Sequence, residues 1–130
     1  MTAVELAKIK QLKNALSSLE DILEHYNRSP NLDVRDGAIQ RFEYTHELVW
    51  KTLKERIEQL GQNPRNNPRD IFRVAADQEL IDDPQIWFHF QDNRNVSSHL
   101  YNNNEMESVF SDLPSFIAEV GKVITTLEQA

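Results

Sequence analysis

The sequence contains no cysteine, which excludes disulfides and thiolate metal sites. Only three glycines and five prolines occur among 130 residues, and no strand-like alternation of apolar and polar residues is sustained. No apolar run is long enough for a membrane span. Charge interrupts the N-terminal "MTAVELAKIKQLKNALSSLEDILEHY", so it lacks the apolar core of a signal peptide. Positive charge is scarce too, and the net charge is -7. That excludes a large basic footprint for nucleic acid, but not a small site touching one or two phosphates. These absences predict a cytoplasmic protein, in which the sequon Asn95-Val96-Ser97 has no meaning as a glycosylation acceptor.

What is present is helix. Leu6, Ile9, Leu12, Leu16, Leu19 and Leu23 recur at three- and four-residue steps and predict a first helix from about Ala3 to Tyr26. "NRSPNLD" breaks it. A second helix is expected from roughly Arg35 to Leu60, with the stripe Phe42, Thr45, Val49, Leu53, Ile57 and Leu60 and a glycine cap at Gly61. Asn67-Pro68 and Asp83-Pro84 each pair an N-cap with a first-turn proline. They open a short helix to about Glu79 and a fourth helix carrying "IWFHF". Asn104 and Glu107 have the spacing of a capping box and begin a fifth, which Pro114 kinks or restarts and which ends near Leu127. The reading is one all-α domain, residues 1–130. It is an antiparallel bundle of four to five helices, with Trp50, Phe72, Trp87, Phe88, Phe110 and Phe116 in its core.

His25, His46 and His89 each stand alone in a helical pattern, which favours structural or surface roles. His89 and Asp92 could share a face with a metal, but there is no HExxH and no cysteine, and neither a metal nor a cofactor is expected. Arg65, Arg69 and Arg73 form either a phosphate-facing strip or a solvated face balanced by acids. "RFEYTHELVWKTLKE", residues 41–55, reads as an amphipathic helix with a Glu47–Lys51 pair. Alternatively it turns Glu43, Tyr44 or Glu47 toward a site.

The stretch "DNRNVSSHLYNNN", residues 92–104, gathers Arg94, His99 and Tyr101 among small and amide residues. It can be a polar helix end running into a turn. It can equally cleave an RNA phosphodiester: histidine moves protons near neutral pH, and arginine holds phosphate oxygens. At roughly 100° per residue, Arg94 and Tyr101 fall on one line, and Asp92, Asn95 and His99 on nearly the opposite one. Either the helix loosens near Ser97-Ser98, or a second copy of the chain brings its own residues alongside. A two-fold dimer would also supply two histidines, one for each proton transfer.

At these residues the chain resembles a known family. "RNVSSHLY" fits the R-x-x-x-x-H-x-Y motif of HepT-type HEPN proteins, the toxins of HEPN–MNT toxin–antitoxin pairs. With "RFEYTHELVWKTLKE" and "NPRDIFRVAADQELI" it resembles the subgroup named nucleotidyltransferase substrate-binding proteins, from about Arg35 to Asn104. The resemblance implies a homodimer with the motif lining a cleft between chains, and a small nucleotidyltransferase partner encoded nearby. It implies metal-independent endoribonuclease activity on RNA. Arg94, His99 and Asn95 then match the catalytic positions, Asp92 and Ser98 stand beside them in support, and Tyr101 matches the tyrosine that the partner AMPylates. The subgroup's name suggests instead a non-catalytic subunit presenting substrate to the transferase. That name rests on likeness to the helical domain of kanamycin nucleotidyltransferase, which is an analogy of fold.

Overall fold

The computed structural model describes residues 1–99 and 102–129, with the backbone alone at His99. Six helices and no strand occur among the described residues: α1 (Ala3–Arg28), α2 (Leu32–Gln59), α3 (Pro68–Asp77), α4 (Pro84–His99), α5 (Asn103–Ser111) and α6 (Leu113–Glu128). No helix among them is long and apolar enough to cross a membrane. The all-helical bundle expected from periodicity is therefore what the chain forms.

The helix starts follow the capping chemistry. Thr2, Asn31, Asn67 and Asn102 each accept a backbone N–H of the first turn through their side-chain oxygens, satisfying donors that the helix itself leaves open. Asp83 Oδ1 accepts from the Gln85 amide at 2.9 Å. Two starts differ from expectation. Asn31 caps α2 immediately after Pro30, so α2 begins at Leu32 and not near Arg35. Asn102, not Asn104, caps α5, and Glu107 is engaged by Arg35 instead of closing a capping box. At the other end, Glu79 takes a left-handed φ of 61° and Gly61 one of 84°, closing α3 and α2. Pro114 restarts the chain, so α5 and α6 are two helices.

α1 and α2 are antiparallel. Glu5 meets Arg56, Ser18 accepts from Arg41, and Ile22 packs beside Gly37; one number falls as the other rises. A β-carbon at Gly37 would lie 2.9 Å from the Ile22 Cδ1 atom, so glycine permits the helices to approach closely here. α2 packs against every other helix and is the spine of the bundle.

The core is built on Phe42, Phe72, Trp87, Phe90 and Phe116, all fully buried. Phe90 takes the place expected of Phe88, which is half-buried, as are Trp50 and Phe110. Leu6 (53 % exposed) and Leu60 (48 %) leave their stripes for solvent. At the α1 end the neighbouring Glu5 turns inward instead. It pairs there with Arg56, whose guanidinium also donates to the Leu127 carbonyl at 2.8 Å. This one ion pair ties α1, α2 and α6.

Removing one partner of such a pair strands a charge in a dry interior, at a cost of about 3–5 kcal/mol. Urea unfolding should show Glu5→Ala losing stability on that scale. Glu5→Ala combined with Arg56→Met should lose less than the sum of the two single changes. Strict additivity would contradict a coupled buried pair.

Candidate functional site

α4 carries the site. Its N-terminal half is anchored by Trp87, stacked on Phe72 at 5.2 Å, and by Phe90, edge-on to Phe116 at 5.2 Å. Four residues past Phe90, on the same helix face, comes Arg94, 31 % exposed. Its NH1 donates to Glu43 Oε2 of α2 at 3.0 Å, and the Ser97 hydroxyl donates to the same oxygen at 3.0 Å. Glu43 therefore grips two successive turns of α4. The ion pair is half-exposed, so its worth is modest in stability and lies more in orientation, since the other guanidinium nitrogens of Arg94 have no hydrogen-bond partner among the described residues.

α4 runs unbroken through Ser97 and Ser98 to His99, which removes a loosened helix as the means of joining Arg94 to His99. On a regular helix their Cα–Cβ directions differ by roughly 140°. Tyr101 lies outside the described residues. Asn95 is exposed and accepts from Gln91 Nε2 at 3.0 Å. Ser98 donates to the Asn95 carbonyl at 3.0 Å. Asp92, 66 % exposed, points its carboxylate to Arg69 at 3.9 Å and not toward Arg94. Arg69 lies over the Phe88 ring at 4.5 Å, and Arg73 bonds Asp70 at 2.7 Å. The arginines of α3 are thus a surface face balanced by acids. His89 is bonded to Asp112 at 2.7 Å, with Asn93 donating to the same carboxylate oxygen at 2.8 Å.

Two grooves flank α4. One is acidic, with Asp33, Asp36 and Glu43 on its walls beside Ser97, and it repels phosphate. The other, about 230 Å³, lies between α2, α3 and α4. His46, Glu47 and Trp50 form its α2 side, Pro68 its α3 edge, and Gln91, Arg94, Asn95 and Ser98 its α4 side. Partial burial pushes the Glu47 carboxyl up. Hydrogen bonds from Lys51 and Trp50, with the charges of Lys51 and Arg94, outweigh that and hold it below the ordinary range.

Sequence reasoning gave His46 a structural or surface role and did not single out Gln91. His46 is 1 % exposed and is enclosed by the rings of Phe42, Phe72 and Phe116. Neither of its ring nitrogens has a hydrogen-bond partner among the described residues, and the same holds for Gln91 Oε1. A usable signal was position: His46 follows Thr45 in the stripe and stands four residues after Phe42, so it faces the aromatic core.

Burial, aided by the positive charge of Arg94, pushes the His46 imidazole from 6.5 down to about 4, against a weaker pull from Glu47. The folded state thus binds a proton less readily than the unfolded chain. The stability this neutral ring permits is complete above about pH 6.5. It is lost as pH falls from there through about 4, on the order of 3 kcal/mol in all. Denaturation profiles of wild type and His46→Phe should diverge across that window, the wild type falling more steeply. Parallel profiles would contradict a buried neutral histidine.

Comparison with known proteins fits this architecture. Residues 7–129 match the family described as "Nucleotidyltransferase substrate binding protein like". A Haemophilus influenzae protein named "Probable ribonuclease HepT" is 32% identical over 97 residues, covering 72% of this chain and 66% of that protein. A Thermus thermophilus protein of known structure superposes with a TM-score of 0.81 at 29% identity, over 89% of this chain and 98% of that one. A Haemophilus influenzae structure, said to reveal the fold of a substrate binding domain of a nucleotidyltransferase, gives 0.82 at 26% identity, over 92% and 98%. With its helices, its length and nearly all its residues matched, the chain belongs to the nucleotidyltransferase substrate-binding protein family.

Proposed function

We propose that the chain is a HEPN-type endoribonuclease, the toxin of a toxin–antitoxin pair, acting as a homodimer without a metal. The observation that carries this reading is Arg94. It is held by Glu43 through one nitrogen, at the mouth of a groove, on the same helix as His99. An arginine so oriented can take two phosphate oxygens on its remaining donors and stabilise charge growing on phosphorus.

The reaction follows from the RNA itself. A base takes the proton of the 2′-hydroxyl, whose oxygen attacks the adjacent phosphorus. The P–O5′ bond breaks, and an acid gives the leaving oxygen a proton. The products end in a 2′,3′-cyclic phosphate and a 5′-hydroxyl. Two proton-transfer groups are needed. His46 is sealed in the core, His89 is bonded to Asp112 and His25 stands in the last turn of α1, outside the motif, which leaves His99 as the motif's one histidine per chain. Two chains related by a two-fold axis, with their α4 ends facing one cleft, supply a pair. Asn95, exposed beside Arg94, would donate to a second phosphate oxygen, with Ser98 and Asp92 at the margins.

Control would come from a minimal nucleotidyltransferase, which moves AMP from ATP to the Tyr101 hydroxyl and releases pyrophosphate. Tyr101 follows Arg94 by one heptad, so the added phosphate would compete for the same guanidinium. A second reading has its own support. The likeness to a nucleotidyltransferase substrate-binding domain, and an Arg94 already paired with a carboxylate, suit a non-catalytic subunit of that transferase.

Cleavage of RNA in excess EDTA decides between them. Wild type should cleave, leaving cyclic phosphate ends, and His99→Ala or Arg94→Ala should lose about a hundredfold or more. Incubation with the transferase, ATP and magnesium should add AMP mass to wild type but not to Tyr101→Phe, and should stop cleavage. Variants that cleave at the wild-type rate would overturn the nuclease reading. A mass gain unchanged in Tyr101→Phe would move the modified residue elsewhere.

A further inference from the structure

We infer that the RNA strand held at Arg94 continues across Trp50 into a lysine-lined groove between α1 and α2, where a further phosphate meets Lys8 and Lys54. The inference rests on the ribonuclease reading and extends it to a second RNA contact, one that makes very short RNAs poor substrates.

Beyond the groove that Arg94 borders lies a wider one, about 400 Å³, and Trp50 lines both. Lys8 of α1 forms one wall of the wider groove, and Lys51, Lys54, Glu55 and Glu58 of α2 form the other. Along α2, Glu43, Glu47, Trp50 and Lys54 follow one another at steps of four, three and four residues, so they share one helix face. Glu43 holds Arg94, and Lys54 stands about 16 Å farther along the axis. That length takes about five nucleotides at a stacked rise of ~3.4 Å, and fewer in an extended strand. The groove on the other side of α4 offers no such path, because Asp33, Asp36 and Glu43 wall it.

Positive charge is scarce in this chain, yet three of its six lysines line this one groove. The lysine ion pairs among the described residues are those of Lys13, Lys51 and Lys122, which leaves Lys8 and Lys54 uncommitted. Both are half-buried, and a partly desolvated ammonium gains by taking an anion. Glu55 and Glu58 oppose a phosphate here, but the three ammonium groups outnumber them. Glu47, the carboxylate between Arg94 and the lysines, is engaged at both oxygens. Its Oε1 meets Lys51 at 3.1 Å, and its Oε2 accepts from the Trp50 indole N–H at 3.0 Å. The second bond also fixes the half-buried Trp50 ring. The Lys51 ammonium lies 5.8 Å from that ring's centroid, so aromatic surface and positive charge stand side by side. Grooves for single strands combine these two features, one to stack a base and the other to track the backbone.

Two measurements test this. In the first, a labelled hexaribonucleotide is titrated into the His99→Ala chain, where no cleavage occurs, over a series of salt concentrations. Each phosphate contact to a single strand contributes about 0.7 to the slope of log affinity against log salt. Lys8→Ala and Lys54→Ala should each lower the slope by about that much. Lys122→Ala, which removes a lysine paired with Glu119 on α6, should leave it unchanged. Trp50→Ala should weaken binding about tenfold without changing the slope, and Trp50→Phe, which keeps a stacking ring, should recover most of the loss. In the second, wild type in excess EDTA should cut the hexanucleotide with a kcat/KM about tenfold above that for a dinucleotide, and Lys54→Ala should shrink this ratio through KM. Slopes unchanged in both lysine variants would overturn the strand path and leave the nuclease standing. Lysine-dependent binding with no cleavage of any RNA would overturn the nuclease and retain the RNA contact. Unchanged RNA binding by Lys54→Ala, with loss of binding to the nucleotidyltransferase, would overturn the strand path and make this groove a docking face for that protein.

Discussion

The rotation of α4 about its own axis governs the site, and Trp87 and Phe90 set it. Their rings are clamped among Phe72 and Phe116, in a core where a turn of the helix would open cavities worth several kcal/mol. Once that face is fixed inward, Arg94 must emerge along its continuation, half-buried against α2. Glu43 then completes the positioning by a charge-assisted bond. The same geometry turns Asp92 away to Arg69 and directs the His99 position to another side. A straight α4 therefore does not bring Arg94 and His99 to one side by itself, and under the proposed ribonuclease function a second copy of the chain would have to supply the missing group.

Other buried polar residues hold the frame around this helix. Glu5 and Arg56 tie the open end of the α1–α2 hairpin to α6. Arg35, nearly inaccessible, bonds Asp36, Asn103 and Glu107 and so fixes the start of α5 against α2. The hydrogen bond it donates to Glu107 is the main reason its guanidinium holds its proton even more firmly than usual. α5 begins two residues after Tyr101, so this tie anchors the chain on the far side of the motif. α2 thus carries three tasks along one helix: Arg35 at its start, Glu43 against Arg94 of α4, and Arg56 near its end.

Much of this was legible in the sequence. Each long helix announced itself by three- and four-residue spacing, and Asn67-Pro68 and Asp83-Pro84 marked two starts correctly, because capping is local chemistry. What failed was what depends on partners distant in sequence. Leu6 fits the stripe of α1 as well as Ile9 does, and only the Glu5–Arg56 pair across the bundle explains why a glutamate is buried while Leu6 is not. Phe88 and Phe90 are equivalent by composition, and tertiary packing chose Phe90. Arg94 was singled out by its motif spacing. Glu43 was one of three α2 residues that could face a site, and its bond to Arg94 was not legible, since it joins residues 51 positions apart.

The central claim is that one cleft uses both copies of the chain, and mixing tests it directly. Wild-type and His99→Ala chains, co-expressed in equal amounts and assembled at random, should give mixed dimers as half of the population. If each cleft needs a histidine from both chains, mixed dimers are inactive, and RNA cleavage in EDTA should fall to about a quarter of the wild-type rate. A fall to only about half, in proportion to the wild-type chains present, would show that each histidine works independently, and would contradict the shared cleft.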